Sequence, residues 1–169
     1  MTVVISNTTP FVGLSITGNF ESLKTLFGEI KIPEAVYQEM IVAGATRPGA
    51  AEMLHGITNG WIRVEAVHPS NTLITLKVDL DDGEAEAIAL ALQTKADLVL
   101  LDERKARAKA KALGLDITGT VGIILLAHRK GLDVDVASAL ARLKEQGFRI
   151  SDQLYQRVLR DANTDQADE

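Results

Sequence analysis

The chain has 169 residues, which is enough for one domain with a real core and too few for two comfortable ones. Its 46% hydrophobic and 24% charged content is that of an ordinary soluble globular protein, and no apolar run approaches the ~20 residues of a membrane span. The lack of a basic leader and of any cysteine points to a cytoplasmic chain without disulfides, Cys-based zinc or a thiol nucleophile, and the formal charge of −5 excludes indiscriminate coating of nucleic acid but leaves room for a local basic strip.

Val3-Val4-Ile5 followed by Ser6-Asn7-Thr8-Thr9-Pro10 reads as a buried strand that delivers Asn7 to its carboxyl end, where open α/β sheets bind ligands. Apolar residues at helical spacing fill 11–14 and 20–27, and Gly28 stops them. Strand 29–32 leads through Pro33 into a helix expected to reach about residue 43, before Gly44. A turn at Arg47-Pro48-Gly49, a short helix over 50–59 and an alternating strand over 61–67 follow. The stretch from 69 to 78 carries no clear period. Asp81-Asp82-Gly83 starts the next helix, and Leu98-Val99-Leu100-Leu101 is a second wholly apolar strand, ending at Asp102.

Helix over 103–113, a short strand at 116–118 and an apolar helix over 119–129 complete an alternation that implies a parallel sheet covered on both faces. Helical patterns over 134–145 and 151–161, with Ser151 as N-cap and an Ile150/Tyr155 staple, form a C-terminal helical hairpin. The expectation is a single domain over 1–160 and a solvated acidic tail over 161–169.

Four polar residues stand where the pattern asks for something else. At ~100° per residue, Glu39 falls among Ala35, Val36, Val42 and Ala43, and Glu84 among Ala87, Ile88 and Ala91, while Glu34, Gln38 and Glu86 turn to the wet side. Glu84 has an equal structural explanation, since Asp81 and Glu84 have capping-box spacing. Asp102 ends its strand as Asn7 ends the first. If these ends converge, three carboxylates and an amide share a cleft, which suits Mg²⁺ or Mn²⁺ and water activation at a phosphodiester.

The helix after Asp102 carries Arg104, Lys105, Arg107, Lys109 and Lys111 opposite Ala106, Ala110 and Leu113, a basic face that is either a phosphate track or simply solvated. Thr120, behind Gly119, opens a helix and is either a phosphate contact or a plain cap residue. His55, His68 and His128 have no metal-ligand spacing.

Taken together, Ile5-Ser6-Asn7-Thr8-Thr9-Pro10, Ile32-Pro33-Glu34-Ala35-Val36-Tyr37-Gln38-Glu39, Asp82-Gly83-Glu84-Ala85-Glu86-Ala87, Val99-Leu100-Leu101-Asp102 and the run from Gly114 to Thr120 resemble the PIN-domain superfamily, nearest its poorly characterised prokaryotic branch related to the VapC toxins. The resemblance implies a Rossmann-like three-layer α/β/α sandwich with a mostly parallel sheet. It also implies Mg²⁺- or Mn²⁺-dependent hydrolysis of RNA by metal-activated water, with a toxin–antitoxin role, an antitoxin protein and a homodimer as expected partners, and no membrane. Asn7, Glu39, Glu84 and Asp102 occupy the four acidic places. Glutamate for the usual aspartate at Glu84 is a mild departure; Asn7 brings no charge and cannot act as a base. The alternative is therefore a catalytically weak or inactive RNA-binding or protein-docking module. A phosphate-accepting receiver-like domain is weaker still, because Ser6-Asn7 lacks the acidic pair it needs.

Overall fold

Residues 2–167 are described in a computed structural model of the chain. Five strands form one wholly parallel sheet: β1 (Val4–Ser6), β2 (Ile30–Pro33), β3 (Ile62–Glu65), β4 (Leu98–Leu100) and β5 (Ile117–Thr118), in the order β3-β2-β1-β4-β5. The connections are helical, as parallel pairing requires: α1 (Thr8–Ile16) and α2 (Glu21–Phe27) lead from β1 to β2. Next come α3 (Glu34–Tyr37), a π-helical turn over Gln38–Val42 and α4 (Ala50–Thr58), then α5 (Asn71–Asp79) and α6 (Asp82–Thr94), then α7 (Arg104–Ala112). After β5 the chain closes with α8 (Thr120–Arg129), α9 (Val136–Glu145) and α10 (Asp152–Ala167). This is the α/β/α sandwich with a C-terminal helical hairpin that the alternation implied. Among the described residues no helix is long and apolar enough to cross a membrane.

The period-2 geometry of a strand explains the two cores. Val4 and Leu100 point into one, with Phe11, Leu14, Ile30, Ile32, Ile124 and Leu140; Ile5, Val99 and Leu101 point into the other, with Ile88, Leu90 and Ala106. Central strands apolar on both faces bury both, and each large side chain so placed contributes about 1.5–3 kcal/mol relative to exposure. Strand order decides where a ligand can sit. From β1 the chain moves outward through β2 and β3, then returns to lay β4 on the other side of β1. The crevice beyond the carboxyl ends of β1 and β4 is therefore the topological switch point, and Asn7 and Asp102 both emerge there.

Several elements depart from their sequence pattern. The helix expected over 34–43 changes to a π turn at Gln38, so the face predicted from an α-helical period slips: Met40 is buried, Val42 and Ala43 are exposed, and Glu39 lies half-exposed at the core's edge. The patternless stretch after 69 is helix α5, capped by Ser70 through the Leu73 N–H (3.1 Å). Leu113 is exposed, not a core residue of α7. The last helix outruns its apolar pattern: α10 continues through residues 161–167, expected to be tail, and Ala162 is buried with its carbonyl 3.2 Å from His128 Nε2. Residues 168–169 of that expected tail lie outside the described residues.

Candidate active site

Asn7 is the N-cap residue of α1 and does not cap it. A capping side chain accepts the N–H of the second or third helical residue; here the third is Pro10, which has none. The Asn7 backbone N–H is used, donating to the Leu100 carbonyl (3.1 Å) and extending the β1–β4 ladder by one bond. Its side chain is 4% exposed, and Oδ1 is buried without a hydrogen-bond partner among the described residues. Such an oxygen costs about 1–3 kcal/mol when nothing replaces water.

The surroundings of Oδ1 supply the reason. Gly83, in the first turn of α6, leaves a cradle: a Cβ there would lie 3.1 Å from Asn7 Oδ1, 3.2 Å from Glu39 Oε2 and 3.6 Å from Asp81 Oδ1. Three side-chain oxygens from three elements thus face one small volume. Glu39 is oriented for it by Thr8, whose hydroxyl donates to Oε2 (2.9 Å), and by Arg47, whose Nη1 lies 3.3 Å from Oε1. On the outer side the same carboxylate opens onto a cleft of about 570 Å³ whose lining includes Glu34, Asp82 and Glu86. Sequence reasoning placed Glu86 on the wet side; it is half-buried, and burial holds its carboxyl above the usual range.

Glu84 is a capping residue, as one of its two readings proposed. Asp81 Oδ1 accepts the Glu84 N–H (2.8 Å), and Glu84 Oε2 accepts the Asp81 N–H (3.2 Å). At 8% exposure its carboxyl is pushed up by burial, then by the like charges of Asp81, Glu103 and Glu39. These repulsions place it within the field of the acidic end without releasing it from its cap.

Asp102 is turned to the start of α8. Its Oδ1 accepts the Thr120 N–H (2.8 Å) and its Oδ2 the Thr120 hydroxyl (2.6 Å), so the carboxylate sits on a helix N-terminus, where negative charge is favoured. Gly119 makes this approach feasible, because a Cβ there would come within 2.8 Å of Asp102 Oδ1. Burial raises the Asp102 pKa, opposed by the two Thr120 hydrogen bonds and by Arg107. Thr120 is therefore committed to Asp102. On the basic helix, Arg107 donates to the Leu101 carbonyl (2.8 Å) and Lys109 pairs with Asp79 (3.0 Å), whose carboxyl it holds below the usual range, while Arg104, Lys105 and Lys111 remain exposed.

The four motif residues thus lie toward one end of the sheet with different partners: Asn7 faces Glu39 across Gly83, Asp102 is held by Thr120 where β4 leaves the sheet, and Glu84 is held by Asp81. Among the described residues no three Asp, Glu or His side chains stand ready to hold a metal ion by themselves. A cation here would use the neutral Asn7 oxygen and complete its shell with water or substrate, as Mg²⁺ commonly does. The orphaned Oδ1 and the all-oxygen donor set fit such an ion. Sequence reasoning missed Thr8, Arg47, Asp81 and Gly83. Pro10, three residues after Asn7, removes one of the two N–H groups a cap could use, and nothing in the sequence settles the other.

The cradle yields a clean test. Gly83→Ala gains helix propensity of up to ~1 kcal/mol, offset by the close approach of its methyl group to two side chains, so the melting temperature should move by only a few degrees. Its methyl group would press on Asn7 Oδ1 and Glu39 Oε2, so a divalent cation, were one held at this cradle, should bind at least ~10-fold more weakly by calorimetry, or about 1.4 kcal/mol.

A wholly parallel sheet with a switch-point crevice at its carboxyl ends defines a Rossmann-like α/β domain. The family model DUF3368, a PIN domain, matches residues 3–164, and the chain belongs to the PIN-domain superfamily. A search of the curated proteins found no match.

Proposed function

We propose that this PIN domain is a metal-dependent endoribonuclease, with Asn7 Oδ1 and Glu39 as the cation's first protein ligands and Asp102 and Glu84 as the flanking carboxylates. The observation that carries the reading is the buried, unpartnered Asn7 Oδ1 facing Glu39 Oε2 across the Gly83 cradle. Bound Mg²⁺ or Mn²⁺ would supply Lewis-acid stabilisation of the phosphodiester and an activated water. The chain's own residues do the rest. Thr8 and Arg47 fix the Glu39 carboxylate, Pro10 withholds one capping N–H from Asn7, and Thr120 holds Asp102 where β4 leaves the sheet. A toxin role with an antitoxin partner is supported only by the motif resemblance to VapC-type toxins.

A second reading has its own support. Asn7 lacks charge, Glu39 is shared with Arg47, and Asp102 is satisfied by Thr120, so the same cleft suits a module that binds RNA and turns it over weakly or not at all. Incubating purified protein with single-stranded RNA in Mn²⁺ and in EDTA separates the two. The nuclease reading expects cleavage that needs Mn²⁺; intact RNA with retained RNA binding would favour the second.

The pH dependence follows from the burial of the carboxyls. Asp102 and Glu84 have raised pKa values, so each keeps its proton to a higher pH than an ordinary carboxyl. Cations bind the ionised forms, so on acidification Mn²⁺ affinity should begin to fall at a higher pH than at a site of ordinary carboxylates. Calorimetric affinities that fall only where an exposed carboxylate titrates would contradict it.

A further inference from the structure

Beyond the metal cradle, a larger groove of about 1270 Å³ begins at Asp102. One wall is Glu103 and Arg104 at the start of α7; the other is the end of α9 and the turn into α10, with Lys144, Phe148 and Arg149. Thr9 also lines it, one residue after the Thr8 that holds Glu39, so the start of α1 stands between groove and cradle. We infer that this groove is the track of a single-stranded RNA, its backbone held by Arg104, Lys144 and Arg149 and led to the Asn7–Asp102 end of the sheet. The inference rests on the ribonuclease reading for where the strand is delivered, but not for whether it binds.

Size argues for a polymer, because small-ligand pockets are commonly about 300–1,000 Å³ and this groove is larger. Charge argues for a polyanion. In a chain of net charge −5, the groove's three cations outnumber its two lining carboxylates, Asp102 and Glu103, and Arg104 and Arg149 are exposed and form no ion pair among the described residues. Lys144 is steadied by the Tyr155 ring (4.5 Å) and shared with the fully exposed Asp152 (3.4 Å), a contact that a phosphate can displace. On α7, by contrast, Arg107 is engaged by the Leu101 carbonyl and Lys109 by the surface carboxylate of Asp79. Phe148 adds an aromatic wall to the basic groove, the combination that single-strand binders use.

The test is fluorescence anisotropy with a labelled single-stranded RNA of about 12 nucleotides, within the usual span of such grooves, in EDTA so that no cleavage occurs. The variant carrying Arg104→Glu and Arg149→Glu should bind at least ~10-fold more weakly, with a salt slope shallower by ~1.4 for two lost phosphate contacts. The Lys105→Glu, Lys111→Glu variant on the outer face should lose less than ~3-fold, and both should melt within a few degrees of the parent. Equal affinity for parent and groove variant, or a larger loss in the outer-face variant, overturns the inference. A parent that does not bind RNA overturns it too and leaves the groove to a protein partner. Mn²⁺ affinity, measured separately, decides the metal reading whichever way the groove is settled.

Discussion

Asn7→Asp should tighten Mn²⁺ binding by ~10- to 100-fold and raise Mn²⁺-dependent RNA cleavage with it. The substitution keeps the shape of the side chain and turns a neutral oxygen donor into a charged one within the cradle shared with Glu39. Two unit charges at ~4 Å interact by about 4 kcal/mol at an effective dielectric of 20, and the cost of burying the new carboxylate beside Glu39 offsets part of this, leaving about 1.5–3 kcal/mol. The same change should destabilise the metal-free protein by about 1–3 kcal/mol, because a buried charge replaces a buried amide next to a like charge. Thermal melts should therefore show a loss of several degrees without metal and recovery on adding Mn²⁺. Unchanged Mn²⁺ affinity would show that the cradle is not a cation site; unchanged cleavage alone would show that the amide already suffices.

Asp102→Asn should lower Mn²⁺-dependent cleavage at least ~100-fold and leave the fold intact. An amide in this position still accepts the Thr120 N–H through its oxygen, and the Thr120 hydroxyl can reverse its role and accept from the amide nitrogen. What disappears is the charge. A carboxyl whose folded pKa is raised contributes most to stability below its unfolded pKa, and that contribution is lost as pH rises through the folded value. As the pH rises the parent carries more of the cost of ionising this half-buried carboxyl, so at alkaline pH the variant should melt at the same temperature or higher. Persistent cleavage by a contaminant-free preparation of the variant would remove Asp102 from the machinery. A large fall in melting temperature would show that its role is structural.

Much of the architecture was legible in the sequence because it rests on local rules. Val4 and Ile5, like Val99 and Leu100, divide between the two cores because neighbouring strand residues face opposite ways, and that alternation of apolar strands with helices implied the parallel sheet. Asp81 and Glu84 are three apart, and their reciprocal cap followed from that spacing. The departures come from interactions that no local rule contains. Glu39 was placed by assuming 3.6 residues per turn, and the π turn over Gln38–Val42 breaks that phase, exchanging Val42 for Met40 in the core. α5 was unreadable because only Leu76 of its nine residues is buried, while Ile74 and Val78 face solvent. The contacts that set the site, Thr8 to Glu39 and Arg47 to Glu39, join a strand end, a helix and a loop. Asn7 was located correctly, but the sequence alone did not say whether its amide would be satisfied by its own helix.

The most direct measurement is anomalous diffraction from crystals of the protein soaked in Mn²⁺. The account predicts a peak at the Gly83 cradle, bonded to Asn7 Oδ1 and Glu39 Oε2 at the ~2.0–2.6 Å typical of hard divalent cations, with waters completing the shell. No peak there at saturating Mn²⁺, with Asn7 Oδ1 instead hydrogen-bonded to an ordered water, would contradict it.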